Sequence, residues 1–179
     1  MKRKQMRNYR LKHYDATAAW SAWNSARDRG ARVPEGTPIV DVVTATIPIY
    51  REARELSRAT GERWEVDHIV PIQRGGLHAV HNLQVVRRSF NSAKRRLTND
   101  EVLEAVIAGE WQHDIGPEVL KIAKDHLVEL VDDREEQDSL EALAAQGFLH
   151  RVETDPTYQP SIETIQAVFE RLQGNLTVH

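Results

Sequence analysis

The chain contains no cysteine, which excludes disulfides and every thiolate metal site. It has no long apolar run either, since none approaches the ~20 residues that cross a bilayer. The basic start, Met1-Lys2-Arg3-Lys4-Gln5-Met6-Arg7, leads into no apolar segment of a secretory signal. Together these absences lead us to expect a cytoplasmic protein that does not contact a membrane. Internal repeats and long low-complexity tracts are also missing, which leaves an ordinary folded domain. At 179 residues, with 40% hydrophobic and 28% charged residues, the chain can bury a core without covalent staples. That length suits one domain, or a domain with an appendage.

What is present is a divided charge. Residues 1–98 carry 19 Lys+Arg against 9 Asp+Glu, a net of +10, and residues 99–179 carry 5 against 18, a net of -13. A basic half of this kind suits a polyanion partner. It also suits docking against the chain's own acidic half, and charge alone favours neither reading.

In chain order, residues 1–29 read as a basic helix stopped by Gly30, with Lys2 to Lys12 as a phosphate-tracking arm or a frayed terminus. Trp20 and Trp23 are expected as core anchors. Residues 31–40 form a connector, and Asp41 caps a short turn. A second helix is predicted from Pro48, placed in its first turn, to about Ala59, closed by Thr60-Gly61. Trp64–Ile72 reads as a strand, Gln73–His81 as a loop, Leu83–Val86 as a second strand and Arg87–Leu97 as a basic helix. Thr98-Asn99-Asp100-Glu101 is a capping box that opens a helical half. Gly116-Pro117 opens the next helix, Asp132–Asp138 is an acidic loop, a short helix ends at Gly147, and Pro160-Ser161 opens the last helix.

The chemistry concentrates in the strand–loop–strand–helix stretch. His68 is the candidate general base, because an imidazole is mostly neutral at physiological pH. Asp67 and Asn91 offer oxygen, and a hard site with few protein ligands suits Mg²⁺, with Mn²⁺ as a substitute. With no sulfur and one nearby carboxylate, a structural zinc is disfavoured. Asn82 heads the second strand, where its side chain can bond loop backbone on both sides, fix Gly75-Gly76 and orient His68. Lys94 is placed to meet a phosphate, and Arg87, Arg88, Arg95 and Arg96 supply salt-sensitive affinity for a nucleic-acid backbone. His78 and His81 are weaker candidates for the cleft. Asp67 and His68 alternate along a strand, so a distortion near Pro71, or different reach across the helix, is needed for both to address one phosphate.

Val66-Asp67-His68-Ile69-Val70-Pro71, Gly75-Gly76, Asn82-Leu83-Gln84 and Asn91 with Lys94 resemble the HNH (ββα-metal) endonuclease family, in the variant whose last ligand is Asn. The match covers about residues 62–96 and is similar to small HNH proteins of bacteriophages. Together with the helices read above, the resemblance leads us to expect an α+β, mostly helical chain. Its ββα-metal nuclease core, a two-stranded antiparallel hairpin plus helix, would have N-terminal helices and a C-terminal helical module. The domains would be a basic nuclease domain at 1–98 and an acidic helical module at 99–179. The resemblance further implies metal-dependent DNA cleavage leaving 3′-hydroxyl and 5′-phosphate ends, with His68 as base, Asp67 and Asn91 as ligands of one divalent cation and Asn82 as the structural residue. The partner is then DNA, and the location is the bacterial host cytoplasm if a phage encodes the chain. Many family members carry two Cys-x-x-Cys zinc pairs around this core. This chain has none, so bracing is expected from the helix at 48–59 and the tryptophans. Two alternatives stay open: a catalytically silent DNA-binding protein, and a nuclease regulated by its acidic half. That half is also a surface for a homodimer or a protein partner.

Overall fold

The computed structural model describes residues 13–132, 140–155 and 157–174. The basic arm at 1–12 and most of the acidic run predicted at 132–138 lie outside them. The described residues form a mostly helical α+β structure of seven helices and a two-stranded antiparallel hairpin packed against a helix. Contacts divide the chain into Met1–Thr98 and Asn99–His179. None of the described helices is long and apolar enough to cross a membrane.

The first unit opens with α1 (Tyr14–Arg27) and α2 (Ile39–Thr60). Ala19 and Trp23 of α1 pack with Val43 of α2 in a buried cluster that Ile47 and Tyr50 flank. Asp15 ties the same helices together through Arg51 at 3.5 Å and Arg54 at 3.0 Å. Trp20, expected in the core, is 39% exposed instead. Trp23, one turn on, takes the buried face of α1.

Helix α2 also differs from expectation. It starts nine residues before Pro48 and carries that proline in its interior. An interior proline costs about 3 kcal/mol through a lost hydrogen bond and a clash with the carbonyl four residues back. Here Thr44 and Pro48 both lie on the exposed side, so that carbonyl meets water. Val42, Val43 and Thr46 are buried on the opposite side, and this packing outweighs the local penalty. Gly61, at φ 74°, ends the helix as predicted.

The hairpin pairs β1 (Trp64–His68) with β2 (Leu83–Arg87) in the register Trp64↔Arg87, Val66↔Val85, His68↔Leu83. Strand β1 is shorter than the predicted Trp64–Ile72 because its partner ends first. Ile69 N–H donates to the Asn82 carbonyl at 2.9 Å as the last rung, and a 3₁₀ turn follows at Ile72–Arg74. Helix α3 (Arg88–Lys94) packs on the hairpin and stops early at Arg95. Arg95, at φ 53°, is the one non-glycine with positive φ among the described residues. Bracing comes from α2: Trp64 N–H donates to Ser57 Oγ at 2.9 Å, and Trp64 Nε1 donates to Thr60 Oγ1 at 3.0 Å.

The second unit comprises α4 (Asn99–Ile107), α5 (Pro117–Asp132), α6 (Leu140–Thr154) and α7 (Ile162–Gly174). Val102, Val106, Val119, Leu127, Ile165 and Phe169 are its most buried apolar side chains. Gln166 of α7 donates to the carbonyls of Val106 at 3.1 Å and Ile107 at 2.8 Å, satisfying the C-terminal end of α4. Helix α6 runs straight through Gly147, where the sequence predicts a stop. Ala145 and Phe148 are buried on either side of it, and burying a phenylalanine, worth about 2–3 kcal/mol, exceeds the ~1 kcal/mol that glycine costs a helix.

Gly147 has helical backbone, and a Cβ there would meet nothing within 4 Å. Gly147→Ala should therefore stabilise the second unit by about 0.5–1 kcal/mol. Chemical denaturation would register this as a higher midpoint, and a lower midpoint would show that the helix does not persist through this position.

Candidate active site

The loop between the strands is organised by Asn82, which is 6% exposed. Its Oδ1 accepts from Val70 N–H at 2.8 Å, and its Nδ2 donates to the carbonyls of Val70 at 3.0 Å and Leu77 at 2.8 Å. The side chain thus replaces a strand partner where β1 has run out. Gly76 lies inside this clamp: a Cβ on it would fall 1.8 Å from the Val70 carbonyl oxygen and 2.8 Å from Asn82 Nδ2. No side chain fits there, which explains the second glycine of Gly75-Gly76.

A cavity of about 280 Å³ opens at the C-terminal end of β1, and Asp67, His68 and Asn91 all border it. The chain turns at Pro71 and Ile72, which line the cavity as well. The two adjacent side chains leave the strand toward different partners. Asp67 is held toward β2 and α3, its Oδ2 accepting from Gln84 Nε2 at 3.0 Å and Lys94 Nζ at 2.8 Å. His68 turns to the loop, with its Nε2 3.1 Å from His78 Nδ1.

Burial, reinforced by the neighbouring His78, pushes the His68 imidazole down to about 4, although Asp67 opposes the shift. Burial and the Arg29 charge lower His78 as well. Both rings are neutral at physiological pH, so His68 keeps a lone pair with which to accept a proton. Tyr50 borders the same cavity, and burial holds its hydroxyl protonated, pushed up to about 12.

Lys94 requires a correction. Expected to meet a phosphate, it is fully buried and donates to Asp67 Oδ2 and, at 2.6 Å, to the His68 carbonyl. It acts inside the hairpin, fixing the backbone and carboxylate of the Asp-His pair. Asn91 differs from expectation too. Its Nδ2 donates to Glu65 Oε2 at 2.9 Å, so a second carboxylate stands beside the helix where one was anticipated. Glu65 is an acceptor only, which fixes the amide nitrogen toward it and leaves the Asn91 oxygen for other partners. Arg95 and Arg96 are exposed and line the cavity, whereas Arg87 and Arg88 lie outside it.

One residue escaped a reading centred on the motif, and another was ranked too low. Arg29, just past α1, lines the cavity close enough to influence both histidines and Tyr50. Its distance in sequence concealed it. His78, a weak candidate in a loop, is 0% exposed and bonded to His68. Its spacing two residues after Gly76 was the available signal.

The donor chemistry fits a hard divalent cation. Asp67 has one oxygen engaged by Lys94 and Gln84 and a second, Oδ1, with which to ligate, and Asn91 adds an amide oxygen at the same cavity. Among the described residues no three His, Asp or Glu side chains converge on one point. A two-donor site of this kind suits Mg²⁺, which keeps several waters and is completed by substrate phosphate, and does not suit a closed structural metal.

Lys94→Met should destabilise the first unit by about 3 kcal/mol, because it strands a nearly buried carboxylate. Adding Asp67→Asn should recover much of that loss in urea unfolding. Additive losses in the double variant would show that the two groups do not depend on each other.

No family model, curated protein or solved structure matches this chain.

Proposed function

We propose that the chain is a metal-dependent endonuclease of the HNH type that hydrolyses DNA phosphodiesters. The observation that carries this reading is the single cavity bordered by a neutral histidine, two oxygen donors and three arginines, His68, Asp67, Asn91, Arg29, Arg95 and Arg96. Hydrolysis needs a base for water, stabilisation of developing negative charge and a grip on the backbone. Each of these six residues suits one of the tasks.

His68 accepts the proton of the attacking water as its oxygen bonds to phosphorus and the bond to the 3′ oxygen breaks. An anionic phosphate entering the cavity raises the proton affinity of His68 from its low resting value. Asp67 and Asn91 would hold the Mg²⁺ or Mn²⁺. The chemistry the ion supplies when bound is stabilisation of charge on the phosphate and the leaving oxygen. Lys94 keeps Asp67 and the His68 backbone in register. Arg29, Arg95 and Arg96 draw the phosphates in, and Arg87 and Arg88 extend basic charge beyond the cavity. One site per chain cuts one strand per event. The acidic second unit, with its net of -13, repels DNA and is better suited to a protein partner or a second copy.

His68→Ala should lower plasmid nicking by at least about 100-fold while DNA binding persists, and EDTA should stop the wild-type reaction. Nicking that survives either change refutes the mechanism. Arg29→Gln should weaken duplex binding regardless of sequence and reduce the salt slope by about 1. Arg27, exposed and paired with Asp28 at 3.4 Å, is the control. Equal effects of Arg27→Gln and Arg29→Gln would deny Arg29 a place in the cleft.

A further inference from the structure

We propose that His78 is a positioning residue that holds His68 in its Nε2–H tautomer and leaves the His68 Nδ1 lone pair as the proton acceptor of the site. This inference rests on the nuclease reading.

The argument starts from a single hydrogen. His68 Nε2 and His78 Nδ1 lie 3.1 Å apart, and two neutral imidazoles place one hydrogen between those atoms. If His78 donated it, the hydrogen left on His68 would sit on Nδ1, and neither of its nitrogens would be available to water. If His68 donates it, Nδ1 is bare. Only the second arrangement leaves a base.

The surroundings of His78 are compatible with the same arrangement. Its Nε2 is buried with no hydrogen-bond partner. The Trp23 and His78 rings pack together, centroids 5.5 Å apart and planes tilted by 52°. A hydrogen on His78 Nε2 leaves its Nδ1 as the acceptor for His68.

His78 is also held firmly enough to impose a choice. It is 0% exposed, and its backbone N–H donates to the Arg32 carbonyl at 2.8 Å. Asn82 anchors the carbonyl of the preceding residue, Leu77. The clamp that shapes the loop thereby sets the acceptor behind His68. The Nε2 contact to His78 fixes the orientation of the His68 ring with Nδ1 turned away from the pair. His78 is thus the third group that orients a base toward its task.

Long-range ¹H–¹⁵N correlation spectra of the full-length, metal-free chain near neutral pH test this directly. The expected result is that Nε2 is protonated and Nδ1 bare in both rings. A hydrogen on Nδ1 of either residue, or an averaged mixture of tautomers at His68, overturns the proposal. His78→Phe should lower kcat for nicking about 10- to 100-fold, a part of what a general base contributes, with KM unchanged. His78→Asn, which returns an acceptor oxygen near the Nδ1 position, should recover part of that loss. Full activity in folded His78→Phe also overturns the proposal. If His78→Phe fails to fold, the wild-type spectra still decide the question. Reversed tautomers together with an inactive His68→Ala variant would sink this inference and leave the nuclease reading standing. The expected tautomers with undiminished nicking by His68→Ala would sink the nuclease reading.

Discussion

Three hydrogen bonds from one amide determine where everything else in the basic unit can be. Asn82 stands at the point where β2 begins and β1 has just ended, and it bonds Val70 on both backbone groups and Leu77 on its carbonyl. Each bond is worth only about 1 kcal/mol net. Leaving the same backbone groups buried and unpaired would cost about 1–3 kcal/mol apiece, so the constraint is stronger than the bonds suggest. It requires a glycine at 76, ends the strand after His68 and fixes the loop that carries His78. A residue with no chemistry of its own therefore sets the position of the reacting groups.

A second constraint is the burial of Lys94. A lysine ammonium leaves water only at high cost unless it is paired and fully bonded. Here it has Asp67 and the His68 carbonyl, 2.8 and 2.6 Å away. This arrangement balances the charge of Asp67 from within the protein, and on the proposed reading it would let the carboxylate stand near the cavity without repelling a phosphate. It also limits what Asp67 can offer, since one oxygen is already engaged. A site with so few free protein oxygens relies on water and substrate to complete the coordination of an ion, which is how magnesium is commonly held.

The elements legible in the sequence were those fixed by local chemistry. The helix start at Asn99, the stop at Gly61, the helix opening at Pro117 and the short β2 all follow from neighbours a few residues away, as did the two-stranded hairpin with its helix. The rest depended on distant partners. Pro48 reads as a helix start until Val43 is seen packing with Ala19 and Trp23. Gly147 reads as a stop until the burial of Phe148 is weighed against it. Strand β1 looks longer than it is because the end of a strand is set by its partner. In the site, Asp67, His68, Asn82 and Asn91 were legible as a spaced pattern, but their hydrogen-bond partners were not. Lys94 shows why: a lysine among arginines reads as a solvated cation, and only the carboxylate 27 residues earlier in the chain draws it inward.

Bracing completes the logic of a core built without cysteine. A short hairpin and a two-turn helix bury too little to be stable alone. Helix α2 supplies the missing support through Ser57 and Thr60, whose hydroxyls bond the backbone and indole of Trp64 at the start of β1. The same helix packs on α1, which brings Trp23 against His78 and Arg29 to the cavity. Apolar packing does here what metal pairs could do elsewhere, and it adds a functional consequence. The helices that steady the hairpin also form one wall of the cleft, so the loss of Trp23 packing would alter the surroundings of the His68–His78 pair as well as the stability of the fold.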